Sequence, residues 1–262
     1  MTTPLPTNAR DAARAMLAAA HRIVVLTGAG VSAESGVPTF RGPEGLWRNF
    51  RPEELATPDA FARDPRLVWE WYGWRRERVG ACRPNAAHAA LARLALAREG
   101  VRVITQNVDE LHTDAARAAA GTGDASAALP LELHGSIFRV RCTACPARYA
   151  HRRPIDASSD ATLPRCDRCS ALLRPDIVWF GEQLDHATLN DAFRAAERAA
   201  VCLVVGTSAV VHPAASIATA TLHAGGQVIE VNPEETPLTR TATLSLRGAA
   251  AEVVPELLRT SP

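Results

Sequence analysis

A short apolar run, Ile23 to Leu26, leads straight into Thr27-Gly28-Ala29-Gly30-Val31-Ser32-Ala33, and this junction limits the folds open to the chain. The run reads as a buried strand. Two glycines separated by one residue let the backbone come close to a phosphate. The small residues after them could open a helix whose N–H groups point at an anion. Gly28-x-Gly30-x-x-Ala33 satisfies a relaxed dinucleotide-binding pattern, although an ordinary strand-to-helix turn would look the same.

The same arrangement recurs along the chain. Val101 to Ile104 runs into Thr105-Gln106-Asn107-Val108-Asp109, Val201 to Val205 into Gly206-Thr207-Ser208, and Gln227 to Val231 into Asn232-Pro233. Any one of these ends could be a turn, with Asn107 or Asp109 as a helix cap. Four of them point to a shared crevice, because open α/β sheets bind ligands beyond the carboxyl ends of their strands. Helical patterns fill the intervals: 8–21 with Asn8 as N-cap, 65–79 after Asp64, 86–98 before Gly100, 110–119, 185–199, 213–224 and 249–258. Short apolar strands alternating with helices predict a parallel sheet covered on both faces. Residues 42–64 read as irregular, with Pro43, Pro52 and Pro58 as breakers. Asp176 to Phe180 reads as a strand of the resuming α/β alternation.

The segment from about 137 to 175 has a different character. Cys142-x2-Cys145 and Cys166-x2-Cys169 stand 20 residues apart among short β-like pieces. Two such knuckles form a closed tetrahedron of thiolates, so the expected ion is one structural zinc with no open catalytic position. Cys82 and Cys202 stand alone and read as buried small hydrophobes. Arg148, Arg152, Arg153 and Arg165 lie between the pairs with one aromatic, Tyr149, which is thin support for nucleic-acid binding.

The totals narrow the function classes. A chain of 262 residues suits one large domain with a small insert, and a net charge of +1 gives no basic field for nucleic acid. All 29 basic residues are arginine, so no lysine can serve as a Schiff-base nucleophile, a Walker lysine or a side-chain modification target. Residues 1–20 include Arg10, Asp11 and Arg14 and do not read as a signal peptide. No run of about 18 apolar residues occurs. The expected location is cytoplasmic.

His134 precedes Gly135 beside the cysteine module. An imidazole there can take a proton from a hydroxyl, or can be structural. The ordered set of motifs is more specific than any member. Gly28-Ala29-Gly30-Val31-Ser32, Phe40-Arg41-Gly42, Thr105-Gln106-Asn107-Val108-Asp109, Leu133-His134-Gly135, the two cysteine pairs, Pro175-Asp176-Ile177-Val178-Trp179-Phe180-Gly181-Glu182 and Gly206-Thr207-Ser208 together closely resemble the sirtuins, NAD-dependent protein-lysine deacylases. The resemblance spans roughly residues 20–258. Two departures are minor: the loop Ala119 to Pro130 looks longer than usual, and Glu110 stands where many members have glycine, a variant associated with the acidic-acyl branch.

The resemblance implies a Rossmann-like doubly wound parallel sheet in residues 1–41, 83–136 and 175–262. It also implies a small domain made of a helical insert (42–82) and a zinc ribbon (137–174). NAD and an acyl-lysine peptide would enter the cleft between them from opposite sides. Gly28, Ala29, Gly30 and Ser32 would lie along NAD, with Phe40 and Arg41 on a covering loop. Gln106, Asn107 and Asp109 would form the nicotinamide–ribose pocket. Gly206, Thr207, Ser208, Asn232 and Ala250 would hold the adenosine end and phosphates. Val178, Trp179, Phe180 and Gly181 would pair with the peptide as an added strand. In the family the acyl oxygen of the modified lysine attacks the ribose. His134 would then act as general base on a ribose hydroxyl that attacks the resulting imidate. The products are lysine, nicotinamide and O-acyl-ADP-ribose.

Tyr72 and Arg75 are three apart on a predicted helix and share a face. A guanidinium beside a phenol can clamp a carboxylate, although solvated helix charge beside half-buried packing would give the same spacing. The pair resembles the Tyr-x-x-Arg signature of sirtuins that prefer succinyl-, malonyl- or glutaryl-lysine, so acidic acyl groups are the expected substrates, with acetyl secondary. Two alternatives stand beside this: an NAD-dependent mono-ADP-ribosyltransferase using the same cleft, and a catalytically silent NAD-binding sensor or zinc-ribbon scaffold. A dehydrogenase lacks support, since no second strand ends in the acidic residue that usually holds the adenine ribose.

Overall fold

The computed structural model describes residues 7–38 and 50–259. Its strands are β1 (Ile23–Thr27), β2 (Val101–Thr105), β3 (Leu131–Glu132), β4 (Gly135–Cys142), β5 (Arg148–Ala150), β6 (Leu173–Ile177), β7 (Val201–Val205), β8 (Gln227–Val231) and β9 (Leu244–Leu246). Its helices are α1 (Thr7–Ala19), α2 (Pro52–Leu55), α3 (Pro58–Arg63), α4 (Pro65–Ala81), α5 (Ala86–Ala97), α6 (Leu111–Ala120), α7 (His186–Glu197), α8 (Ser216–His223) and α9 (Ala250–Leu257).

Six strands form one parallel sheet in the order β3-β2-β1-β7-β8-β9. The chain runs outward from β1 in one direction, then returns to start again at β7 on its other side. The strand order therefore reverses between β1 and β7, which is where such sheets open a crevice for a ligand. Both faces are covered, which explains why β1 and β7 are buried at every position. Ile23, Val25, Val103, Leu203 and Ile229 pack with α1, α5 and α9 on one face. Val24, Leu26, Ile104, Val204 and Val228 pack with α7 and α8 on the other.

A second core holds the small unit together. Leu55, Phe61, Trp69, Trp71 and Tyr72 of the helices α2 to α4 pack with Ile137, Val140, Leu173 and Ile177 and with Cys142 and Cys166. The helical insert and the cysteine module thus share one apolar interior. Their sheet is antiparallel, in the order β5-β4-β6.

Several local expectations are corrected. The strand expected at Asp176–Phe180 in the parallel sheet is instead Leu173–Ile177, on the edge of the antiparallel sheet. An edge tolerates Pro175, which has no N–H to donate. Residues 52–63 are not irregular: Pro52 and Pro58 are the first residues of α2 and α3, and the Thr57 hydroxyl caps Ala60 N–H at 3.1 Å. No helix follows Gly30. Two 3-10 turns, Ala29–Val31 and Ala33–Ser35, end at Gly36 with φ +85°. Helix α1 begins at Thr7, so Asn8 lies inside it rather than at its cap, and α8 begins at Ser216 rather than at Pro213. Strand β9 and the 3-10 turn Pro237–Arg240 were not anticipated. Among the described residues, no helix is long and apolar enough to cross a membrane.

Candidate active site

The residues singled out at the strand ends meet at the switch point between β1 and β7. Here the glycine loop crosses the end of β7 in direct backbone contact. Gly28 N–H donates to Val205 O at 3.1 Å and Gly30 N–H to Gly206 O at 2.8 Å. A Cβ on Gly206, whose φ is +60°, would lie 2.4 Å from Val31 N. A Cβ on Gly30 would lie 2.8 Å from Gly206 Cα. The close approach, expected from the sequence to be to a phosphate, is instead backbone against backbone at these two glycines. The amides of Gly28 and Gly30 are committed to carbonyls and are not donors for an anion.

Beneath this crossing lies a buried polar network. Asn107 Nδ2 donates to Gly28 O and to Ser32 Oγ, both at 3.1 Å. The Ser32 hydroxyl donates to Asp109 Oδ2 at 2.7 Å, and Asp109 Oδ1 accepts Leu111 N–H at 3.0 Å. Burial, the largest influence on Asp109, raises its pKa against the two hydrogen bonds.

Two histidines complete the network, and neither was singled out in the sequence. His88 Nδ1 accepts Asn85 N–H at 3.3 Å, so its proton resides on Nε2, which faces Ser32 Oγ at 3.3 Å. Its pKa falls to about 4 through burial, and the ring is neutral. His112 Nε2 meets Thr27 Oγ1 at 2.9 Å, and burial lowers its pKa as well. The Asn85-x-x-His88 capping box was the one available signal, and it spoke for a helix start, not for a site.

His134 follows β3 and faces the same crevice from the other side. Its Nδ1 lies 2.8 Å from Gln106 O. A carbonyl can only accept, so Nδ1 carries the proton and Nε2 presents a lone pair. Burial lowers the His134 pKa and outweighs the contact with Gln106, which favours the neutral, proton-accepting form. Gln106 is held in turn: its Nε2 donates to Thr207 Oγ1 at 3.0 Å, and its N–H to Thr27 O at 3.0 Å.

The ends of β7 and β8 are joined by Asn232, whose Nδ2 donates to Thr207 O at 2.8 Å. Thr207 is buried, and Ser208 beside it is half-buried. Ala250 opens α9 next to the glycine loop, where Glu34 Oε2 accepts Ala251 N–H at 2.8 Å. Ala29 lies in the first 3-10 turn of that loop. Phe40 and Arg41 fall outside the described residues.

On the small-unit side, Tyr72 is buried on α4 and its hydroxyl accepts the Trp179 indole N–H at 2.8 Å. Burial pushes the phenol up to about 12, so it keeps its proton as a donor. Arg75, one turn along α4, is desolvated, which lowers its pKa. The nearby Asp109 acts on it in the opposite sense. Its guanidinium carbon lies 5.1 Å from the Trp71 ring centre.

Residues 178–181 are extended and then turn. Their amides are largely committed: Val178 N–H to His134 O at 3.0 Å, Trp179 N–H to Glu182 Oε2 at 2.8 Å, and Phe180 N–H to Ala56 O at 2.9 Å. The Phe180 side chain is 46% exposed. Glu110, beside Asp109, adopts φ +61°, a conformation glycine takes without cost. Its carboxylate is held there by Ser136 Oγ and Arg152.

The four cysteines converge. Cys142 and Cys169 sulfurs lie 3.4 Å apart, Cys145 and Cys166 3.6 Å, and all four within 4.8 Å of one another. A tetrahedral zinc with bonds of about 2.3 Å needs sulfurs about 3.8 Å apart. The set fits one structural zinc. Ala144 N–H and Tyr149 OH point at the Cys142 and Cys166 sulfurs and orient them.

Residues 28–213 match the model of the Sir2 family. An NAD-dependent protein deacylase of Thermococcus kodakarensis is 50% identical over 247 residues, covering 93% of this chain and 92% of its own. NAD-dependent protein deacylase 1 of Archaeoglobus fulgidus is 51% identical over 245 residues, covering 93% and 94%. Among solved structures, a Sir2 homologue in complex with NAD has a TM-score of 0.84 at 48% identity, covering 95% of this chain and 92% of that one. A Sir2 structure with a p53 peptide and NAD+ has a TM-score of 0.78 at 33% identity, covering 93% and 95%.

Proposed function

The chain belongs to the Sir2 family, and on that premise we propose that its cleft removes acidic acyl groups from protein lysines, succinyl, malonyl or glutaryl ahead of acetyl. It is an NAD-dependent protein deacylase. The residues present fit NAD, because amides, hydroxyls and one carboxylate from four strand ends converge on one crevice. When bound, NAD supplies a ribose carbon that nicotinamide leaves and the acyl oxygen of the modified lysine takes.

The chain's own groups divide the remaining work. Asn107 and Asp109, locked through Ser32, form the floor under the nicotinamide and its ribose. Gln106, Thr207 and Asn232, tied to one another, hold the adenosine side with Gly206, Ser208 and Ala250. His134 Nε2 takes the proton of a ribose hydroxyl, its tautomer set by Gln106 O. The peptide lies along Val178 to Gly181. Since the N–H groups of residues 178–180 are committed, it pairs with the carbonyls of Val178 and Phe180 and with Gly181.

The acyl preference rests on one observation. The Tyr72 hydroxyl spends its oxygen on Trp179 and keeps its proton, and one turn away stands a desolvated guanidinium that also feels Asp109. A carboxylate at that point gains two charge-assisted partners, a phenol proton and a guanidinium. Acetyl offers neither. The test is kcat/KM on matched succinyl- and acetyl-lysine peptides. A clear succinyl advantage that Arg75→Met abolishes supports the reading, and a succinyl rate untouched by that change removes it.

A further inference from the structure

Glu230 is fully buried on β8, on the strand face that Val228 shares and that packs against α7 and α8. A carboxylate sealed there is costly unless its oxygens are met, and an apolar side chain would serve packing alone better. Both oxygens are met. Thr236 Oγ1 donates to Oε1. Oε2 accepts from Thr239 Oγ1 at 2.7 Å and from Ser245 Oγ at 2.8 Å, and the Arg247 guanidinium nitrogens lie 3.3 and 3.4 Å from it. These partners all belong to the excursion that leaves β8, makes the 3-10 turn Pro237–Arg240 and returns through β9. Burial pushes the Glu230 carboxyl up, but the three hydroxyls and the Arg247 charge outweigh it, and the group stays ionised.

The same excursion begins at Asn232, and Arg247 acts on that residue directly. Arg247 Nη1 donates to Asn232 O at 3.3 Å, while Nη2 donates to Thr239 Oγ1 at 3.0 Å. Asn232 N–H donates to Leu246 O at 3.1 Å. Both main-chain polar groups of Asn232 are therefore fixed by the end of β9, which leaves its Nδ2 aimed at Thr207 O. A fully satisfied buried network of this kind specifies one geometry.

We infer that Glu230 and Arg247 are positioning residues for the adenosine end of NAD, the carboxylate fixing the guanidinium and the guanidinium fixing Asn232 against Thr207. This rests on the reading that Asn232 and Thr207 hold the adenosine side. Glu230 is sealed from solvent and touches no ligand, so it acts through Arg247 alone. The effect stops short of the general base. Gln106, which sets the His134 tautomer, has its own anchor in Thr27 O as well as its bond to Thr207. Binding of NAD should respond to these residues, and the chemical step should not.

The probe is ADP-ribose, titrated calorimetrically into the zinc-loaded full chain, beside steady-state kinetics with NAD and an acyl-lysine peptide. Arg247→Met should weaken ADP-ribose about ten-fold and raise KM for NAD to match, while peptide KM and kcat at saturating NAD move less than about two-fold. Arg247→Lys, which keeps the charge and one donor, should recover most of the loss. Glu230→Gln should act in the same direction as Arg247→Met. The double variant should be no worse than Arg247→Met alone, since the two residues act in series. Where Arg247→Met does not fold, Glu230→Gln carries the test through the same split between the two KM values. Additive losses in the double variant overturn the inference, as does a fall in kcat and a rise in both KM values together. Asn232→Ala separates the two levels. If it weakens ADP-ribose and Arg247→Met does not, the positioning role is wrong and the adenosine reading stands. If Asn232→Ala also leaves ADP-ribose binding intact, the adenosine reading fails and the inference fails with it.

Discussion

Lowering the pH from 7 to 5 should destabilise the fold through His88, by an amount the structure sets. The ring is fully buried, neutral, and placed by Asn85 N–H and Ser32 Oγ. Its pKa is about 4 in the folded chain. In the unfolded chain it reverts to about 6.5. Between those values the unfolded chain binds the proton and the folded chain does not, so stability is full above the upper value and falls as the pH drops. The loss is about 2 kcal/mol at pH 5 and about 3 kcal/mol below pH 4. His88→Gln preserves an acceptor for Asn85 and a donor for Ser32 but cannot titrate. Urea unfolding of both chains at pH 7 and pH 5, with saturating zinc, isolates the term. Contributions from Asp109 and the thiolates occur in both chains, and His112, whose ring centre lies 4.7 Å from that of His88 and whose pKa His88 also lowers, is replaced by Gln in both so that it drops out of the difference. The parent should lose about 2 kcal/mol more than the variant. Equal losses would refute the assignment of His88 as a buried neutral imidazole.

His134→Gln should lower kcat for deacylation by about a hundred-fold or more while peptide binding by anisotropy stays within a few-fold, as loss of a general base requires. Arg75→Met should cut succinyl kcat/KM about ten-fold with acetyl kcat/KM little changed, measured by peptide mass spectrometry. Cys166→Ser should abolish stoichiometric zinc in the purified chain. It should also loosen the core shared by the cysteine module and the helical insert, seen as lost amide protection in β4 and β6. Gly206→Ala should cost about 3 kcal/mol or more, because its Cβ lands 2.4 Å from Val31 N at φ +60°, and thermal unfolding reads this directly.

Much of the fold was legible because its strands carry their own evidence. Runs such as Val201–Val205 are apolar at every position, as strands covered on both faces must be, and each ends in a small or polar cluster. The cysteine spacing likewise foretold a closed tetrahedral cluster. What stayed hidden depends on long-range placement. The glycines announced a close approach to a phosphate, and the fold shows that what they approach is the backbone of Gly206. His88 and His112 look like ordinary helix residues, and they become partners of Ser32 and Thr27 once α5 and α6 dock against β1. Pro175 hid the edge strand β6. Pro52 and Pro58 hid the short helices, because a proline that stops one helix also starts another.

The most direct test of the central claim is a product balance. The chain is incubated with NAD and a succinyl-lysine peptide, and all species are quantified by mass spectrometry. Deacylated peptide, nicotinamide and O-succinyl-ADP-ribose should appear in equal amounts, with no nicotinamide released when the peptide is unmodified. Free succinate formed without consumption of NAD, or ADP-ribose attached to the peptide, would contradict the account.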